Sequence, residues 1–210
     1  MSSAGTGGLV RSGRMIPHRR AALGLIAAGL STPAFAGAPD GWRGYRFDLT
    51  QAALARREPL ETYLRQQVDL IESIPMSEAR KAWFRGVTIF INPALTQAGR
   101  FRGGRLELRD ETAPPDNSVL LHELLHGYHF EVLRPAGRHG EVQAAFDAAR
   151  RSGRWPARAY MLSNPAEFFA MTCSVALWGK AARPPRTRDN LKAKAPDWYD
   201  WIVREFELRV

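Results

Sequence analysis

The segment His122-Glu123-Leu124-Leu125-His126 carries the strongest chemical signal in the sequence. Two imidazoles four residues apart lie on one face of a helix, one turn from each other, where both reach a single tetrahedral cation. Glu123 projects beside them as a carboxylate able to take a proton from a water held at that cation. A glutamine could hydrogen-bond such a water but not deprotonate it. The pattern therefore predicts a catalytic zinc site, with His122 and His126 as ligands and Glu123 as general base. Cys173 is the only cysteine, which excludes both a cysteine-based zinc site and an intrachain disulfide.

A catalytic zinc site needs a third protein ligand and one open position. No histidine stands ten residues beyond His122 to supply it. His129 shares the helix face but falls in the next turn after His126, which suits a pocket-lining or supporting role better than ligation. Glu167 is the stronger candidate, within Tyr160-Met161-Leu162-Ser163-Asn164-Pro165-Ala166-Glu167-Phe168-Phe169-Ala170. Asn164 reads as a helix cap and Pro165 as the first helical residue, so Glu167 occupies the third helical position. The same arrangement makes a capping box without any metal, and spacing alone leaves both readings open. The apolar Phe168-Phe169-Ala170 favours a helix end drawn into the core.

Together, the His122–His126 motif and the segment from Tyr160 to Ala170 resemble the catalytic domain of the anthrax lethal factor family of gluzincins, which includes the Pro-Pro endopeptidases. The resemblance spans roughly residues 85–180. It implies a zincin-like metallopeptidase with Glu167 as third ligand of Zn2+ and Tyr160 stabilising the transition state. The expected reaction is attack by a zinc-bound water activated by Glu123, and the expected partner is a peptide or protein substrate. Tyr160 also has an ordinary reading as a core aromatic beside Trp155. One departure from the family pattern stands at Met171, where many members carry an acidic residue four positions after the ligand. Glu141 or Asp147 would be the candidates to replace it. Two other readings fit the same residues: a zinc-binding regulatory protein without turnover, and a zinc hydrolase of a non-peptide envelope amide.

The elements that must position these residues read as α+β, a small sheet preceding a mostly helical domain. Residues 37–58 lack periodicity. Leu60, Tyr63, Leu64, Val68 and Ile71 predict a helix from Pro59 to about Ser73, and Ser77 caps a second one ending near Gly86. Val87–Ile91 reads as a buried strand and Arg105–Arg109 as a half-exposed one, separated by a glycine-containing stretch at 99–104. The resemblance implies that an exposed edge at Arg105–Arg109 pairs with an extended peptide by strand addition; the pattern alone fits an ordinary amphipathic strand equally well. Helices are expected at about 118–133, 140–152, 164–179 and 196–208. The basic stretch from Lys180 to Lys194 reads as a solvated loop, with an acidic substrate or envelope surface as the alternative.

The N-terminus differs in composition from the rest. Residues 1–36 contain Arg11, Arg14, Arg19 and Arg20 and no acidic residue, followed by the apolar run Ala21–Leu30 and the small-residue site Ala34-Phe35-Ala36. That order marks a signal peptide, and the run is too short for a stable membrane anchor. Arg19-Arg20 resembles a twin-arginine signal, and Met15 offers an alternative start. Without the leader the formal charge falls from +9 to +5, and no nucleic-acid partner is expected. Residues 37–210 suffice for one domain, exported to the periplasm or outside the cell. Oligomeric state has no signature. N-terminal sequencing of exported protein should begin near Gly37, and mature protein retaining residues 15–36 would overturn the leader reading.

Overall fold

In the computed structural model, which describes residues 40–114 and 118–209, the sheet is built from two tight hairpins joined by a helical crossover. The expected leader, residues 1–36, lies outside the described residues. β1 (Asp40–Trp42) and β2 (Tyr45–Asp48) turn through Arg43 and Gly44, both at positive φ, 49° and 89°. This matches a type I′ turn, whose twist suits antiparallel strands. β4 (Gly99–Arg102) and β5 (Arg105–Leu108) turn the same way through Gly103 and Gly104, at φ 57° and 73°. α1 (Leu54–Ser73) and α2 (Glu78–Gly86) carry the chain from β2 to β3 (Thr88–Ile91), which pairs parallel with β2 and with β5. The sheet order is β1-β2-β3-β5-β4.

This topology corrects the placement of the strand near Arg105–Arg109. β5 lies inside the sheet, paired with β3 on one side and β4 on the other, and Leu106, Glu107 and Leu108 are buried. The edge belongs to β4. The glycine-containing stretch before it is thus a strand and a hairpin turn.

The helical part follows the periodicity closely. α1 buries Leu60, Tyr63, Leu64, Val68 and Ile71, although it begins at Leu54 and takes Pro59 into its early turns. Ser77 caps α2 by accepting from the Arg80 amide. α3 (Val119–Tyr128) runs into a π-helical turn at His129–Leu133. α4 (His139–Arg151), α5 (Pro165–Trp178) and α7 (Pro196–Glu205) stand where expected, and α6 (Arg188–Lys194) replaces part of the anticipated basic loop. The architecture is α+β.

α3 is apolar on nearly every side, the signature of a helix sunk in a core. Leu120, Leu121, Leu124 and Leu125 are fully buried, and the helix packs against β4, β5, α1 and α5. Its end is tied down by a buried carboxylate. The Tyr128 hydroxyl donates to Glu205 Oε1 at 2.5 Å, Arg138 Nη1 donates to Glu205 Oε2 at 2.6 Å, and Arg80 Nη2 lies 3.2 Å from Oε1. α7 also holds α5: Trp198 Nε1 donates to Thr172 Oγ1 at 2.9 Å, and that hydroxyl donates to the Phe168 carbonyl at 2.6 Å.

Gly127 lets α3 approach β4. A Cβ there would lie 2.5 Å from Cε2 and 2.7 Å from Cδ2 of Phe101, inside van der Waals contact. Gly127→Val should therefore lower stability by about 1–3 kcal/mol, the usual cost of overpacking, outweighing the few tenths of a kcal/mol that valine gains over glycine in helix propensity. An unchanged or raised melting temperature would refute the close approach.

Candidate metal centre

Three side chains from two helices meet at one end of a cleft of about 810 Å³. His122 Nε2 and His126 Nε2 are 3.0 Å apart, Glu167 Oε2 lies 3.3 Å from His122 Nε2, and Glu167 Oε1 lies 3.5 Å from His126 Nε2. Among the described residues this is the one group of three potential ligands brought together. Donor atoms around a tetrahedral zinc at its usual bond lengths sit roughly 3.3 Å apart, so the triangle has the dimensions of a ligand set. The orientation of the groups agrees. Glu167 Oε2 is buried and makes no hydrogen bond despite its closeness to the imidazole, as expected when the donor atoms point to a common centre instead of at each other. The residues fit a bound zinc.

The two helices explain the convergence. His122 and His126 occupy successive turns of α3. Glu167 sits at the start of α5, whose N-terminus is set by Pro165 and by the Asn164 side chain accepting from the Glu167 amide at 2.9 Å. This is only half of a capping box, because the Glu167 carboxylate faces the imidazoles. Burial alone would raise its pKa, but His122 and His126 outweigh that and hold the carboxyl well below its ordinary range.

Glu123 lies beside the triangle, 6 % exposed and lining the cleft. Its room comes from β4: a Cβ on Gly99 would fall 2.7 Å from Glu123 Cγ. Burial raises the Glu123 pKa, and Glu167 adds to the rise, while His122 and His126 oppose it. Tyr160 stands in a 3-10 turn (Tyr160–Leu162) ahead of α5. It is 43 % exposed and lines the cleft, whereas Trp155 is buried in the core. Burial, then the neighbouring Glu167 carboxylate, push its phenol up to about 12, so the hydroxyl keeps its proton at neutral pH.

Other candidates lie elsewhere. His129 is fully buried and turned toward α4, with Nε2 3.0 Å from His139 Nδ1 and its ring 5.2 Å from Phe169. Burial, then Arg134, push its pKa down to about 4, and it does not join the ligand group. Glu141 accepts from Arg138 and from Trp201 Nε1, and Asp147 accepts from Gln143. Neither lines the cleft, so neither replaces the carboxylate missing at Met171, which does line it. His126 Nδ1 has no hydrogen-bond partner, although metal-bound histidines usually donate from that second nitrogen. The periodicity did not indicate Gly99, Arg100 and Phe101 of the cleft wall. The Gly103-Gly104 pair was the one available signal, since it marks a hairpin whose first strand contains them.

The raised pKa of Glu123 has a thermodynamic consequence. The folded state holds this proton more tightly than the unfolded chain does, so the contribution is fully present below the unfolded-state pKa and is lost as pH rises through the raised folded value. Metal-free Glu123→Gln should then melt above the metal-free parent at pH 8, with the gap closing below about pH 4, where an ordinary glutamate is protonated. Equal melting temperatures at pH 8 would show that Glu123 carries no burial penalty.

No family model matches the chain, and no curated protein matches it. Among solved structures it is similar to the Pro-Pro endopeptidase PPEP-2 from Paenibacillus alvei, with 17% sequence identity over 76% of this chain and 96% of that chain and a TM-score of 0.49.

Proposed function

We propose that this chain is a zinc-dependent endopeptidase that uses His122, His126 and Glu167 as ligands, Glu123 as general base and Tyr160 as oxyanion donor. The observation that carries the reading is the triangle of donor atoms, 3.0, 3.3 and 3.5 Å on its sides, with a buried carboxylate beside it in an open cleft. Zinc, when bound, supplies a Lewis acid that polarises the scissile carbonyl and acidifies a water. Glu123 accepts the proton of the attacking water and returns it to the leaving amine. The Tyr160 hydroxyl, protonated at neutral pH, donates to the oxyanion as charge develops there. β4 offers an edge for an extended substrate, since β5 pairs with one side of it only. Its residues Gly99, Arg100 and Phe101 line the cleft. Export rests on the leader, and among the described residues no helix is long and apolar enough to cross a membrane.

One observation favours zinc binding without turnover: His126 Nδ1 has no hydrogen-bond partner, so that imidazole lacks its customary outer support. A single set of variants separates the readings. The parent should purify with about one zinc per molecule, as a three-ligand site requires, and cleave denatured protein. Glu123→Gln should keep the zinc and lose most of the activity. Glu167→Ala should lose both. Stoichiometric zinc in Glu167→Ala would remove it from the ligand set, and undiminished turnover in Glu123→Gln would overturn the peptidase mechanism. A zinc-loaded parent inactive on every peptide would support the binding protein.

A further inference from the structure

α5 ends at Gly179, which adopts φ 102°, and the chain then doubles back in a short, firmly bonded loop. Lys180 bridges Thr187, the Ala181 amide donates to the Arg186 carbonyl at 2.8 Å, and the Arg188 amide donates to the Gly179 carbonyl at 3.1 Å. The Arg188 guanidinium anchors the base of the loop by donating to the carbonyls of Ala176 and Leu177 at 2.9 and 3.1 Å. Asn190 Nδ2 pins the loop's far side at the Pro185 carbonyl, 2.7 Å away.

The loop brings two cations to the cleft. Lys180 and Arg183 both line it, each on an aromatic platform: Lys180 Nζ is 5.1 Å from the Trp178 ring centre, and Arg183 Cζ is 5.0 Å from that of Tyr160. Among the described residues neither makes an ion pair, whereas Arg100, which also lines the cleft, is paired with Glu107. The remaining basic residues of the stretch point elsewhere, with Lys192 on Tyr199 and Lys194 on Trp155. The lining contains no carboxylate besides Glu123 and Glu167. The loop thus presents two cations to the cleft that make no ion pair among the described residues, on a backbone bonded to itself and to the end of α5. Arg183 lies beside the proposed oxyanion donor. Lys180 lies near the end of α5, and the rise of a helix puts Trp178 about 16 Å from Glu167, the span of about five extended residues.

We propose that Lys180 and Arg183 form an anion subsite that selects peptides carrying a carboxylate within a few residues of the scissile bond, either an Asp or Glu side chain or a free C-terminus. The inference rests on the peptidase reading for its substrate class. Its test does not depend on turnover. The zinc-loaded Glu123→Gln protein is titrated into fluorescein-labelled peptide pools that hold Glu, Gln or Lys at one interior position. Each pool is made as the C-terminal amide, and the Gln pool also as the free acid. Anisotropy should show the Glu amide pool or the Gln free-acid pool binding about fivefold tighter than the Gln amide pool, the size expected of two partly exposed ion pairs, and the advantage should shrink as salt rises. A preference for the Glu amide assigns the side chain, and a preference for the free acid assigns the terminus. Adding Lys180→Ala and Arg183→Ala should reduce the advantage below twofold with zinc content unchanged. Equal affinity for all pools, tightest binding of the Lys pool, or an advantage that survives the double substitution would each overturn the subsite. Charge-selective binding by a parent that cleaves no pool would sustain the subsite and sink the peptidase reading.

Discussion

The burial of α3 is the constraint on which the rest of the molecule depends. A helix with leucines on most of its circumference must be covered by neighbours, yet His122, Glu123 and His126 have to remain reachable from the cleft. β4, β5, α1 and α5 enclose it, leaving open the strip between β4 and the start of α5. Two glycines make the enclosure tight enough to be useful. Gly127 admits the Phe101 ring against the helix, and Gly99 leaves room for the Glu123 side chain. A side chain at either place would push β4 away and widen the cleft wall.

Buried charge in this environment is costly unless it is compensated, and the two glutamates of the site are treated differently. Glu167 faces two imidazoles and stays ionised, so it suits a cation. Glu123 has burial as the dominant influence and binds its proton more readily. Without metal, two carboxylates near one point thus acquire distinct acid–base characters from their surroundings. Glu205 shows a third solution, with Tyr128, Arg80 and Arg138 converging on one carboxylate to tie α2, α3 and the segment before α4 to α7.

The loop after α5 extends the same logic to the cleft's far wall. Its backbone is bonded to itself and to the last carbonyls of α5, so the positions of Lys180 and Arg183 are set by the fold. Both cations rest on aromatic faces, Trp178 and Tyr160, and neither makes an ion pair among the described residues.

The convergence of His122, Glu123 and His126 was legible in the sequence because they sit within about one helical turn, where spacing translates directly into geometry. Helix periodicity located α1, α3, α4, α5 and α7 for the same reason, since their buried faces recur locally. The place of Glu167 was half legible: Asn164 and Pro165 put it at a helix start, but whether its carboxylate closes a capping box or faces the imidazoles is decided by how α5 packs on α3. β1, β2 and β4 went unrecognised because strands of three or four residues carry too few alternations to show a period. Their turns, Arg43-Gly44 and Gly103-Gly104, were the only local marks. Strand order was beyond local reading altogether. That β5 is internal and β4 the edge follows from pairing between segments far apart in the chain, as does the arrival of Lys180 and Arg183 at a cleft whose other wall lies some eighty residues earlier. Local spacing determines which groups share an element and a face, while the packing of distant segments decides which faces meet.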